Sequence, residues 1–124
     1  MRRLVLLLIA SVTAVTVLAA AAQASCIPTT AAQQRTRAAV IFDGVALEGP
    51  TATGVQRFRV SRYLKRSGPH VVRVSTGHTK RADGTGTITS VSLDVRRGQR
   101  WRIFARGSAR KVLRSSDCDG SRKL

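Results

Sequence analysis

Histidine, cysteine and acid are scarce in this chain: two, two and six residues among 124. That shortage limits the chemistry available. Ser75, His78 and Asp83 could be composed into a nucleophile, a base and an orienting acid, but no nucleophile-elbow sequence surrounds the serine. His70, His78 and Asp83 have no recognised metal-ligand spacing. The expectation is no catalytic residue, no metal and no cofactor. Aromatic residues are also few, one Trp, one Tyr and three Phe, which leaves little surface on which nucleic-acid bases could stack. Acid is outnumbered 22 to 6 by Lys and Arg, for a formal net charge of +16.

Beyond residue 24 there is no long apolar run. Before it, Arg2 and Arg3 precede an apolar stretch from Leu4 to about Ala22, and the small residues Ala22 and Ala24 frame a cleavage site ahead of Ser25. Residues 1–24 therefore read as a secretory signal peptide. An uncleaved segment of that length could instead anchor the chain in a membrane. Lipidation of Cys26 is a further alternative, disfavoured by Gln23 where that signal wants a bulky aliphatic residue. Cleavage would leave residues 25–124, enough for a single small domain, extracytoplasmic and monomeric. Losing Arg2 and Arg3 lowers the basic count from 22 to 20 against 6 acids, a net charge of +14. A chain this cationic adheres to polyanions.

In an exported chain two cysteines pair by default, so Cys26 and Cys118 are expected to form a disulfide. An intermolecular bridge or two free thiols are the alternatives.

Along residues 25–124, Thr29 to Arg37 is polar and suits a short helix with Thr30 as N-cap. Ala38 to Leu47 reads as a strand with a bulge or bend at Gly44. Val55 to Lys65 alternates, with Phe58, Val60 and Leu64 on one face and Arg57, Arg59, Ser61 and Tyr63 on the other; Arg62 interrupts the apolar face and is expected at the rim of the core. Val72 and Val74 point inward from a strand over His70 to Thr76, and Gly77 to Gly86 reads as a flexible loop. Thr87 to Val95 alternates again, with Ile88 out of phase with Val91, Leu93 and Val95. Arg100 to Arg106 is a strand with Trp101, Ile103 and Ala105 inward and Arg100, Arg102, Phe104 and Arg106 outward; Lys111 to Ser115 is a last short strand. Short strands, frequent turns and little helix mean an all-β barrel or sandwich.

Several of these residues carry a resemblance. Cys26 and Pro28 open it, followed by Ala39, Val40, Ile41, Phe42 and Gly44, then Phe58, Val60, Leu64 and Lys65, then Val72, Val74 and Thr76. Gly98, Arg100, Trp101, Ile103, Phe104 and Ala105 follow, and Cys118, Gly120, Arg122 and Leu124 close it. In order and spacing, residues 26–124 resemble the bacterial relatives of the tissue inhibitors of metalloproteinases, the netrin-like domain family. The resemblance implies a small five-stranded OB-type barrel with one or two short helices at the ends. In the animal inhibitors, a cysteine two residues before the Cys-x-Pro cysteine chelates the target enzyme's zinc. Here that position is Ala24, and the region Thr79 to Ser92, where its bonding partner would stand, has no cysteine. One disulfide and no zinc-chelating terminus are what the comparison implies.

The functional expectation is a secreted, non-enzymatic binding domain for an envelope protein or an anionic envelope polymer. Arg57 and Arg59 on one strand face, and Arg100, Arg102 and Arg106 on another, are the candidate polyanion contacts. A merely solvated basic surface is the plainer reading of them, and nucleic acid is the weakest. A metalloproteinase inhibitor acting through Ser25, Cys26, Ile27 and Pro28, or an accessory structural domain, are the alternatives. A membrane contact is expected only through an uncleaved signal segment.

Overall fold

The structure is a computed structural model that describes residues 26–124; the expected signal segment and Ser25 lie outside the described residues. The polar stretch near the start forms helix α1, Ala31–Arg37. A capping box begins it: Thr30 Oγ1 accepts from Gln33 N at 3.1 Å, and Gln33 Oε1 accepts from Thr30 N at 2.9 Å. None of its residues is buried, so the helix is held from outside. Lys65 Nζ donates to the carbonyls of Arg35 (2.7 Å), Thr36 (3.3 Å) and Ala38 (2.5 Å), placing a cation on oxygens that a helix end leaves free. Gln34 packs on Gly120, where φ is +95° and an added Cβ would fall 2.5 Å from Gln34 Oε1. The positive φ favours glycine there, while the Gln34 side chain would have to move aside for a Cβ.

Eight strands follow: β1 (Val40–Ala46), β2 (Val55–Lys65), β3 (Val71–Ser75), β4 (Thr79–Lys80), β5 (Gly86–Thr87), β6 (Arg100–Ala105), β7 (Val112–Arg114) and β8 (Arg122–Lys123). Six of them build one sheet in the order β7-β3-β2-β1-β6-β8, and β4 pairs with β5 apart from it. All neighbours are antiparallel except β3 and β7, which are parallel. Past the end of β6, Arg106 and Arg114 exchange two main-chain hydrogen bonds at 2.9 and 3.0 Å, so β7 also touches the β6 side. The sheet thus curls into a half-barrel. The expected all-β class holds, with α1 and one 3-10 turn at Asp117–Asp119 as the only helices among the described residues. The sheet has six strands, β8 being a two-residue edge strand beside β6.

Alternation fills the concave side. Val40, Phe42, Phe58, Val72, Val74, Ile103 and Leu113 are buried there, and the rings of Phe42 and Phe58 meet edge to face at 5.9 Å. Cys26 and Cys118, 92 residues apart, are joined by a disulfide with a Cα–Cα distance of 5.2 Å. Among the described residues no helix is long and apolar enough to cross a membrane.

Three sequence expectations need correction. In β2 the inward phase holds through Phe58 and Val60 and then inverts: Tyr63 packs on the core while Leu64 is 45 % exposed. The reason is the pairing with β1, where Asp43 opposes Arg62 but Gly44 opposes Val60, leaving Ser61 as an extra residue. Such a bulge moves every following side chain to the other face. Gly44 permits it, since a Cβ there would stand 2.8 Å from the carbonyl oxygen of Arg59. Arg62 therefore leaves the core rim for the outer face.

Thr87 to Val95 is the second correction. Only Thr87 pairs in a ladder. The rest is an irregular strap that buries Leu93 and Val95, fastened by Leu93 N to Thr76 O at 3.0 Å and by Gln56 Nε2 to Val95 O at 3.0 Å. Its apolar alternation reflects burial without a neighbouring strand. The third is Gly77 to Gly86, expected as a loose loop, which β4 and β5 tie into a small ribbon.

Candidate anion-binding face

Residues directly opposite one another in a sheet project from the same side, so register decides which arginines share a surface. Arg57 of β2 lies opposite Arg73 of β3. Val45 of β1 lies opposite Arg59 of β2 and Arg100 of β6. Asp43 lies opposite Arg62 and Arg102, and Arg102 lies opposite Arg122 of β8. These positions alternate with the inward Phe42, Phe58, Val72 and Ile103. They therefore form the outer face of the sheet. Seven arginines cover it.

At its centre stands Asp43, 3 % exposed. Arg102 donates from Nε to Oδ1 at 2.7 Å and from Nη2 to Oδ2 at 2.9 Å, and Arg62 donates from Nε to Oδ2 at 2.9 Å. The Arg102 hydrogen bonds, with those of Arg62 and the charges of both guanidiniums, overcome the effect of burial and lower the carboxyl pKa to about 2. A carboxylate this far inside needs such partners to stay charged. The three groups together still carry one positive charge.

Glu48 is the second carboxylate at this surface. Arg57 reaches it with Nε and Nη2, both at 3.2 Å, and its main-chain N donates at 2.9 Å. These contacts lower the Glu48 pKa. Arg59, Arg73, Arg100 and Arg122 have neither an ion pair nor a hydrogen-bond partner for their guanidiniums among the described residues. All four are exposed. A free guanidinium presents a planar fork of donors suited to carboxylate, phosphate or sulfate oxygens. With strands about 4.8 Å apart, Arg59 and Arg100 flank β1 at a main-chain spacing of about 10 Å. The four stand on β2, β3, β6 and β8 and not at one point, a distribution that suits a repeating oxyanion better than one small anion.

Of the five arginines singled out from the sequence, the structure brings Arg57, Arg59, Arg100 and Arg102 onto this one face, because β1 joins the strands that carry them. Arg102 and Arg57 are engaged by carboxylates there. Arg106 is elsewhere, donating to Asp119 Oδ1 at 2.9 Å beyond the end of β6. Arg62, Arg73, Arg122 and Asp43 were not singled out. Arg73, between the inward Val72 and Val74, was readable as outward; an acid inside the apolar run Val40 to Val45 was a mark of a paired buried charge. Arg122 carried no signal, since β8 is too short for a pattern.

At the start of the described residues, Cys26 is half-buried in the disulfide, while Ile27 is 81 % exposed and Pro28 is exposed beside it. Asp83 accepts from Thr85 N and Oγ1. His78 instead faces Asp94, with Nδ1 3.6 Å from Oδ1, too long for a hydrogen bond. The serine–histidine–aspartate set is therefore not assembled as the sequence allowed.

Compared with protein-family models, curated proteins and solved structures, the chain matches none.

Proposed function

We propose that this chain is an exported, non-enzymatic binding domain that holds an anionic envelope polymer on the outer face of β3, β2, β1, β6 and β8. The observation that carries the reading is the set of four unpartnered guanidiniums, Arg59, Arg73, Arg100 and Arg122, around a buried Asp43 already saturated by Arg62 and Arg102. Only five of the 20 basic residues beyond residue 24, Arg57, Arg62, Arg96, Arg102 and Arg106, meet a carboxylate among the described residues. The excess charge is thus available to a ligand. Stacking does not favour nucleic acid: the Tyr63 ring packs inward with its hydroxyl donating to Pro69 O at 2.6 Å, and Phe104 and Trp101 are 4 % and 9 % exposed.

The fold we assign is a five-stranded OB-type barrel of the netrin-like kind. The order β1-β2-β3-β7-β6, the parallel β3–β7 pair and the Arg106–Arg114 bridge back to β6 support it. The disulfide supports an oxidising, extracytoplasmic setting. The test is retention of the purified, oxidised protein on envelope extract and on immobilised dextran sulfate, at low and at physiological salt. Retention at both supports a binding site; retention only at low salt reduces the surface to net charge.

One observation favours a second reading. Ile27, 81 % exposed next to the disulfide, is an apolar tip at the place where the resemblance sets an inhibitory wedge. A metalloproteinase inhibitor would block such an enzyme at stoichiometric amounts and lose potency when a residue is added before Ser25. A polymer-binding face would ignore that addition.

A further inference from the structure

The same outer face carries a recess that the arginine array does not explain. Between α1 and the sheet lies a groove of about 580 Å³, lined by Ile41, Leu64 and Phe104 and by Arg35, Arg102 and Arg122. Its volume is in the range of small-molecule sites, which combine an apolar lining with a few placed polar groups. The groove exists because α1 buries none of its own residues and is propped off the sheet by Lys65 and by the Gln34–Gly120 contact. Leu64 faces it because the bulge at Ser61 has already turned it outward, and a second slip of register, with Ile41 opposite Lys65 and Phe42 opposite Tyr63, leaves it without a partner position on β1.

We infer that this groove takes a single long-chain carboxylate, a free fatty acid, with its chain on Ile41, Leu64 and Phe104 and its head group among Arg35 and Arg122. Three features select that chemistry. The charge is complementary: neither guanidinium has an acidic or hydrogen-bonding partner among the described residues, and the nearby Asp43 is saturated by Arg62 and Arg102. The walls offer little to a peptide main chain, since β1 is paired along both edges and Lys65 already occupies the end carbonyls of α1. A peptide would leave its own amides unsatisfied there, whereas an acyl chain has none to satisfy. The floor is also recessed. Ile41 and Phe104 are each 4 % exposed and form a buried floor, so an entering chain would meet Leu64, 45 % exposed, as the main open apolar surface.

This inference rests on reading the outer face as a binding surface, and the test separates the two. Oxidised protein from a secreting host is titrated with oleate below its aggregation threshold, and with oleyl alcohol, acetate and phosphatidylglycerol vesicles. We expect saturation at one oleate per chain, with the alcohol and acetate at least tenfold weaker. Leu64→Ser and Arg122→Gln, both at exposed positions, should each weaken oleate at least fivefold with an unchanged circular dichroism spectrum. Arg59→Gln with Arg100→Gln should spare oleate while weakening dextran sulfate. No saturable oleate binding, equal binding by the alcohol, tighter binding to vesicles than to monomer, or affinity unmoved by Leu64→Ser would each overturn the proposal. If oleate fails while dextran sulfate is still retained at physiological salt, only the groove inference falls.

Discussion

Arg102 and Asp43, 59 residues apart in sequence, face each other across β6 and β1 through two hydrogen bonds, Nε to Oδ1 at 2.7 Å and Nη2 to Oδ2 at 2.9 Å. The pair lies under the arginine-rich face and ties it to the sheet. Asp43 is buried and the Arg102 side chain is 18 % exposed. Removing the acid alone therefore strands a largely desolvated guanidinium. Asp43→Ala should lower stability by about 3 kcal/mol, measured by denaturant unfolding. A double change with Arg102→Met should cost less than the sum of the single changes, because the stranded charge is gone.

The same carboxyl sets a pH dependence. Its folded-state pKa is lowered from 3.8 to about 2, so the unfolded chain takes up a proton first as pH falls. The contribution is fully present above the unfolded value and is lost as pH drops from about 4 through about 2, amounting to about 2 kcal/mol. Glu48, lowered by Arg57, acts in the same direction. Unfolding free energy measured from pH 5 to pH 2 should fall for the wild type and fall less for Asp43→Asn.

Gln56 is fully buried within β2 and serves three partners. Its Nε2 donates to Glu48 O and to Val95 O, both at 3.0 Å, and its Oε1 accepts from Thr76 Oγ1 at 3.1 Å. It is the clamp that holds the strap over residues 88–95 against the core. Gln56→Leu keeps the volume but leaves those groups without their partner. We expect a loss of about 3 kcal/mol, with faster amide exchange at Leu93 than at Ile103.

The disulfide closes nearly the whole described chain. With its ends 92 residues apart, the chain-entropy account gives a stabilisation of about 4.6 kcal/mol. Cys26→Ser with Cys118→Ser should lower unfolding free energy by that order. Intact mass under non-reducing conditions should show the wild type two hydrogens lighter than its reduced form.

Much of the core was legible because period-two alternation survives wherever a strand is regular. Val72 and Val74 in β3, and Trp101, Ile103 and Ala105 in β6, point inward as the pattern requires. Tyr63 and Leu64 did not follow, because one extra residue at Ser61 inverts the phase; its only sequence trace is Gly44 on the facing strand, where a bulge was expected, and nothing within β2 marks it. Leu93 and Val95 alternate like a strand because both are buried, yet their segment is held by isolated main-chain and side-chain bonds. Phe104 was read as outward and does face the outer side, where it is buried beside Ala38 and Ile41. The candidate face was legible residue by residue, not as a surface. Alternation shows that Arg59 and Arg100 leave the core, but only the pairing of both with Val45 places them side by side.

If position on this face, and not charge alone, makes the proposed binding surface, moving the lost charges elsewhere must matter less. The direct measurement compares two charge-matched triple variants on dextran sulfate at physiological salt. One carries Arg59→Gln, Arg73→Gln and Arg100→Gln; the other carries Arg66→Gln, Arg110→Gln and Lys111→Gln, all exposed and away from the outer-face ladder positions. Both lose the same net charge, so non-specific attraction falls equally. At least a tenfold loss of affinity is expected for the first variant and no more than threefold for the second. Equal losses in the two would contradict it.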